Sequence, residues 1–258
     1  MSKKRFKFKK ARRLWKTLNL YIYFTKETGF YTVPHPSMRY RVHGTYDLLS
    51  FLQVGRRCKD DIIAALKKID RNLDSFRNIL DFGCGCGRTL TWLAKYAKSS
   101  QLHGTDIDTD AISWCKKNIK FITCDVNSAL PPLRYPSESF DLVYAISVFS
   151  HIKEDYQFRW LDELKRIIKP GGILLVSLQG RNIWGQFSPD YVERIEKEGF
   201  VFRQSGFWKT MFPEWYEDAF HAEKYVRDEF SKYFSVLDYI PKGINDHQDM
   251  VILQKRTA

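Results

Sequence analysis

Five consecutive residues, Gly83 to Gly87, read Gly-Cys-Gly-Cys-Gly and follow directly on the apolar run "ILDF". Two cysteines one residue apart could ligate a metal, form a redox pair, or stand in a loop kept bare for a ligand. Metal chelation needs further ligands at characteristic spacings, and none is grouped nearby. Cys58, Cys115 and Cys124 are scattered, and the odd total of five includes no CxxC, so neither a zinc ribbon nor a disulfide framework is indicated. Glycine admits close backbone approach and positive φ, so the loop reads as a cradle, with Cys84 and Cys86 flanking whatever lies in it.

Charge selects the ligand. A dinucleotide loop spaces its glycines G-x-G-x-x-G around a pyrophosphate. Here the spacing is G-x-G-x-G, and Arg88 stands where the last glycine of that fingerprint would fall. Asp81 places a carboxylate just ahead of the loop, where it would repel phosphates and suit a ligand bearing an ammonium and a sulfonium, as S-adenosylmethionine does. Asp106 ends the next predicted strand, where an acid can accept both ribose hydroxyl hydrogens. Asp125 closes the third, within reach of an adenine amino group. Any one of these would pass as an ordinary strand-end acid, but three at successive strand ends call for a common cause.

Hydrophobic periodicity supplies the elements that must hold these residues. Ile62, Ile63, Leu66 and Ile69 recur at helical spacing in "RRCKDDIIAALKKI". "FRNILDF" reads as a buried strand, and "RTLTWLAKYAK" after the loop reads as a helix. "SQLHGTDI" is a second strand, capped by Asp108 or Thr109 into a helix over residues 111–118. "KFITCDV" and "FDLVYAISV" are further strands. A helix carrying Phe158, Leu161, Leu164 and Ile168 is stopped by "KPGG" before the strand "ILLVSL". This alternation predicts an α/β fold with a doubly wound parallel sheet. "FSVLDYI" and "DMVILQK", joined by a short Pro- and Gly-containing loop, predict an antiparallel pair at the end. Between them and the alternating region, residues 180–220 hold an aromatic-rich stretch including Trp184, Phe187, Phe207, Trp208, Phe212, Trp215, Tyr216 and Phe220. It is expected to be an inserted lid over the substrate or simply a small aromatic core.

The 258 residues and 44% apolar content suit one large core with at most a small extra lobe. Of the net charge of +12, nine positive charges lie in "MSKKRFKFKKARRLWK", leaving only +3 for the rest. The basicity belongs to an arm, either solvated or in contact with anionic lipid or nucleic acid. Phe6, Phe8, Leu14, Trp15, Leu18 and Ile22 interleave with the charges and favour an interfacial helix at an anionic membrane surface. No apolar stretch approaches bilayer length, and the cysteine usage points to a reducing, cytoplasmic compartment. The expected division is an arm and helical extension over residues 1–54 and a catalytic domain over 55–258, with 180–220 inserted.

In order and spacing, "ILDFGCGCGR", "LHGTDID", "FDLVYAISVFSHI" and "LKRIIKPGGILLVS" resemble the successive motifs of class I S-adenosylmethionine-dependent methyltransferases, especially the group that includes the ubiquinone-biosynthesis type. The resemblance implies a Rossmann-like sheet of seven strands, mostly parallel with the last antiparallel, and S-adenosyl-L-methionine as cofactor. It implies that Gly83, Cys84 and Gly85 lie against the methionine part, with Asp106 on the ribose and Ile107 on the adenine. Asp125 and Val126 would border the adenine edge, and Ile146 would line the methyl-donor side. The cysteines of "GCGCG" depart from the small residues common in the family, a tolerable change where backbone does the binding.

Methyl transfer by direct displacement asks a protein to align acceptor, methyl and sulfur and to exclude water. His151, after the fourth strand, is the candidate general base; its ordinary pKa suits proton uptake, although "SHIKED" could equally use it as a cap. His221 and His247 read more simply as hydrogen-bonded or surface histidines. The Asn/Asp-Pro-Pro-aromatic motif of enzymes that methylate exocyclic base amines is missing after the fourth strand, which has "AISVFSH"; Pro131-Pro132 comes too early. The expected acceptor is therefore an O or N atom of a small molecule, glycan or lipid-linked compound. RNA is the demoted alternative, along with a cofactor- or partner-binding module without turnover.

Overall fold

The computed structural model describes residues 3–204 and 215–257, with side chains from Lys10 onward at the N-terminal end. Three helices come first: α1 (Lys3–Thr28), α2 (Pro36–His43) and α3 (Leu48–Lys67). Asp47 caps α3, its carboxylate accepting from the Ser50 amide at 2.9 Å. The alternating region then runs β1 (Asn78–Phe82), β2 (Gln101–Asp106), α4 (Thr109–Asn118), β3 (Ile122–Val126), β4 (Phe140–Ala145), α5 (Glu154–Ile167) and β5 (Ile168–Leu178). Next come α6 (Arg181–Trp184), α7 (Pro189–Glu198), β6 (Phe200–Arg203), β7 (Asp218–His221) and α8 (Glu223–Phe230). The final pair is β8 (Ser235–Ile244) and β9 (Gln248–Gln254).

Seven strands form one sheet in the order β3-β2-β1-β4-β5-β9-β8. The first five are mutually parallel; β9 enters antiparallel beside β5, and β8 pairs antiparallel with β9. The doubly wound sheet with its antiparallel last strand is thus as the sequence predicts. Strand order reverses at the β1/β4 boundary, the place where such sheets open a crevice at their carboxyl ends. Both faces are covered. Ile79, Leu102, Leu142 and Tyr144 pack on one side with α3 and α4, while Leu80, Phe82, Val143 and Leu174 pack on the other with α5 and α8. This explains why β1 reads as a continuous apolar run.

At three points the structure refines or departs from the sequence reading. The segment after the glycine loop is a 3-10 helix over Leu90–Lys98, with residues 89–93 all buried, more than an α-helical stripe would cover. The helix α5 ends at Ile167, and "KPGG" lies inside β5. Residue 54, where the sequence reading places the start of the domain, lies within α3. There Gly55 is required: a Cβ would sit 2.3 Å from the Arg88 carbonyl oxygen.

The described residues from Gly180 to His221 include α6, α7 and the antiparallel β6–β7 pair, with Trp184, Ile195, Val201 and Phe220 as a small core of their own. Phe207, Trp208 and Phe212 lie outside the described residues. At the other end of the chain, α1 packs its inner face on α3 and the 3-10 helix. Phe24 meets Trp92 edge-on at 5.0 Å, and Arg56 lies 4.6 Å over the Tyr23 ring.

Candidate cofactor-binding site

The carboxyl ends of β1, β2 and β4 enclose a cavity at the switch point. Its floor is the glycine loop. The Gly83 and Cys84 amides both donate to the Thr105 carbonyl, at 2.8 and 3.0 Å, tying the loop to the end of β2. Asp106 completes the tie: one carboxylate oxygen accepts from the Gly85 amide at 2.7 Å and the other from the Asp108 amide at 2.8 Å. Gly83, Gly85 and Gly87 all have positive φ, as the sequence suggests. Space adds a second reason. A Cβ on Gly83 would stand 2.3 Å from Val148 Cγ2, and one on Gly85 would stand 2.6 Å from Val42 Cγ2.

Of the residues expected at a cofactor, Asp81, Gly83, Cys84, Gly85, Asp106, Ile107 and Ile146 line this one cavity. Asp125 and Val126 do not. Asp125 pairs with Lys116 at 3.1 Å, Val126 is exposed, and the chain turns so that Asn127 and Ser128 reach the cavity instead. Asn127 is held there by its amide on the Asp106 carbonyl at 3.0 Å and by the Thr105 hydroxyl donating to its Oδ1 at 2.7 Å. Cys86 turns into the core rather than flanking the cavity, and burial pushes its thiol up to about 12.

His151 is also absent from the lining. Its ring stacks on Tyr216 at 4.7 Å, with Nδ1 3.1 Å from the Glu217 carbonyl oxygen, and it is Tyr216 that lines the cavity. Burial holds the imidazole below its ordinary pKa, partly offset by Asp218. His221 is wholly buried, with Nε2 2.9 Å from Gln157 Oε1, and desolvation pushes it down to about 3.

Other lining residues have weak signals in the sequence. Trp160, on the inner face of α5, packs on Phe82 at 4.6 Å and donates its indole N–H to the Ala129 carbonyl at 3.1 Å. Arg41 and Val42 come from α2, which roofs the glycine loop. Arg41 grips Asp108 with Nε at 2.6 Å and a second nitrogen at 3.1 Å, and Arg88 donates to the Val42 carbonyl at 3.0 Å. Asp108 meanwhile caps α4 through the Asp110 and Ala111 amides.

The electrostatic character of the cavity rests on Asp81. It is buried and has no ion pair among the described residues; burial pushes its carboxyl up to about 8, the neighbouring Tyr144 hydroxyl draws it back in part, and Asp106 raises it again. Burial also raises Asp106, against the pull of the Asp108 and Gly85 amides. An unpaired buried acid beside a second strand-end acid is a donor set for a cation with vicinal hydroxyls, and a poor one for phosphate. The residues therefore fit S-adenosylmethionine. Among the described residues no cluster of His, Cys, Asp and Glu could hold a metal ion.

Comparison with known proteins agrees with this geometry. Residues 80–176 match the family model described as Methyltransferase domain. A fatty-acid O-methyltransferase of Mycolicibacterium smegmatis is 27% identical over 104 residues, covering 38% of this chain and 36% of that protein. The tRNA N(3)-methylcytidine methyltransferase Mettl2 of Drosophila melanogaster is 33% identical over 114 residues, 41% of this chain and 35% of its own. The chain spans about a third to a half of the length of the curated relatives it matches. In fold, the chain is similar to an S-adenosylmethionine dependent methyltransferase from Mesorhizobium loti, with a TM-score of 0.56 at 15% identity over 74% of this chain and 96% of that one. The stretch from β1 to β5 thus matches a methyltransferase domain in sequence and has the fold of S-adenosylmethionine-dependent methyltransferases, whose cofactor the cavity residues fit.

Proposed function

We propose that this protein transfers the methyl group of S-adenosylmethionine to an O or N atom of a small-molecule, glycan or lipid-linked acceptor. The observation that carries the reading is the buried Asp81, without an ion pair among the described residues, set beside Asp106 over a bare glycine loop. When bound, the cofactor supplies a methyl group already activated by its sulfonium. The chain has to hold and orient that group: Asp81 takes its ammonium end, Asp106 its ribose hydroxyls, and Ile107 and Asn127 its base. Ile146, Phe82 and Trp160 keep the reacting side dry, which favours a displacement whose charge disperses in the transition state. Trp215 and Tyr216 form the aromatic wall against which an acceptor lies.

His151 contributes by positioning the Tyr216 ring rather than by removing a proton at the acceptor. A dedicated base is needed only for an acceptor that keeps its proton at neutral pH. The tRNA-modifying relatives support RNA as a second acceptor class, while the fatty-acid relative supports a lipid. The test uses labelled cofactor with the full chain and fractionated lipid, glycan, RNA and small-molecule extracts. Label is expected in the lipid, glycan or small-molecule pool; label in RNA alone would reverse the assignment. In parallel, Asp106→Ala should weaken cofactor binding about 10- to 100-fold, the equivalent of losing charged hydrogen bonds, as read by calorimetry. Unchanged binding would remove Asp106 from the site.

A further inference from the structure

The helix α1 has two faces. Its inner face carries the buried Phe24 and the partly buried Leu20 and Tyr23 against the body of the protein. On the opposite face Leu14, Trp15, Leu18 and Ile22 are 71, 66, 54 and 41% exposed. Leu14, Leu18 and Ile22 fall four residues apart, so they form one stripe along the axis, with Trp15 beside it. Exposed Lys10 borders one edge of this stripe, and exposed Arg12 and Lys26 the other. The one acid in the helix, Glu27, lies on neither edge, and Lys3, Lys4, Arg5, Lys7 and Lys9 extend the same helix toward its start.

We propose that α1 docks the protein on an anionic lipid surface, lying in the interface with Leu14, Trp15, Leu18 and Ile22 sunk among the acyl chains and its cations at the headgroups. A solvated arm would have no reason to present four large apolar side chains to water on the face turned away from the core. A lipid interface accepts both halves of the pattern, because apolar residues enter it and long cationic side chains reach back to the phosphates. An RNA backbone would satisfy the cations and leave three aliphatic side chains exposed. A second copy of the helix would cover the stripe but bring two rows of cations together. The proposal stands apart from the identity of the methyl acceptor, and its test needs neither acceptor nor cofactor.

The full chain is sedimented with vesicles of phosphatidylcholine alone and with vesicles containing about one-third phosphatidylglycerol. It is expected to partition onto the anionic vesicles at least about tenfold more strongly. The combined change Leu14→Ser, Trp15→Ser and Leu18→Ser should lower that partition by about tenfold or more, with thermal midpoint and bulk tRNA binding unchanged. Should the triple variant fail to fold, Lys10→Glu with Lys26→Glu keeps the stripe and is expected to lower the preference for anionic lipid by about tenfold or more. Three results would overturn the proposal: equal vesicle binding by wild type and variants, tRNA binding without vesicle binding, or a light-scattering dimer that the triple variant dissolves while vesicles are ignored.

Discussion

Replacing Asp81 by Asn tests the electrostatic reasoning most directly. In the cofactor-free protein the Asp81 carboxyl is held at about 8 by burial, against 3.8 for the unperturbed group. The folded state therefore keeps a proton that the unfolded chain has lost, between about pH 4 and pH 8. The stabilising contribution of this group is complete below the unfolded pKa and fades as pH rises through the folded one. A cationic ligand takes the place of that proton. Binding should release close to one proton per cofactor at pH 6.5 to 7, and affinity should rise roughly tenfold per pH unit up to about pH 7 and more gently above it. The useful window closes near pH 7.5, because the α-amino group of the ligand begins to titrate there, at roughly 7.7 to 8. Calorimetry in buffers of different ionisation enthalpy counts the protons. In Asp81→Asn the count should drop toward zero and the pH slope should flatten. Binding at pH 7.5 should weaken by about 10- to 100-fold for the lost charge-assisted contact. The cofactor-free variant should melt no lower than wild type at pH 7, since a neutral amide replaces a buried acid. Wild-type binding without proton release, together with an Asp81→Asn variant that binds equally well, would refute the reasoning.

Two further outcomes follow from the contacts around the cavity. Gly85→Ala should destabilise the fold by about 1–3 kcal/mol through its positive φ and the clash with Val42; adding Val42→Ala should recover the steric share alone, and thermal denaturation of the three variants separates the two. His151→Gln should slow methyl transfer by no more than about tenfold, the scale of a displaced wall residue and below the usual loss of a general base, and the pH–rate profile should keep its shape. Disappearance of the limb in which rate falls toward low pH would return this histidine to the role of base.

Most of the sheet could be read from the sequence because its strands are buried on both faces and separated by amphipathic helices, the pattern that periodicity reports best. Asp81 was legible as the one acid in the apolar run "ILDF", and Asp106 as the acid that ends the next strand. The third strand misled by one turn of chain. Its polar end, Asp125, pairs with Lys116, and Asn127, which reaches the cavity, lies just past the strand where periodicity carries no information. Arg41 and Asp108 stand 67 residues apart, and nothing in the composition of either segment announces their meeting. Trp160 sits in a helix whose apolar spacing was plain, but spacing alone does not tell a core tryptophan from one that also borders a crevice. The glycines were read as room for a ligand, and the structure adds that Val148 and Val42 occupy part of that room.

The roof formed by α2 has a practical consequence for anyone dissecting this chain. All seven sheet strands, the glycine loop and both strand-end acids lie downstream of residue 77, whereas Arg41 and Val42 belong to a helix that ends at His43. A protease nick or an alternative start near residue 47 would spare every strand and still strip away one wall. The shortest fragment holding the sheet is therefore shorter than the shortest fragment that encloses the cavity.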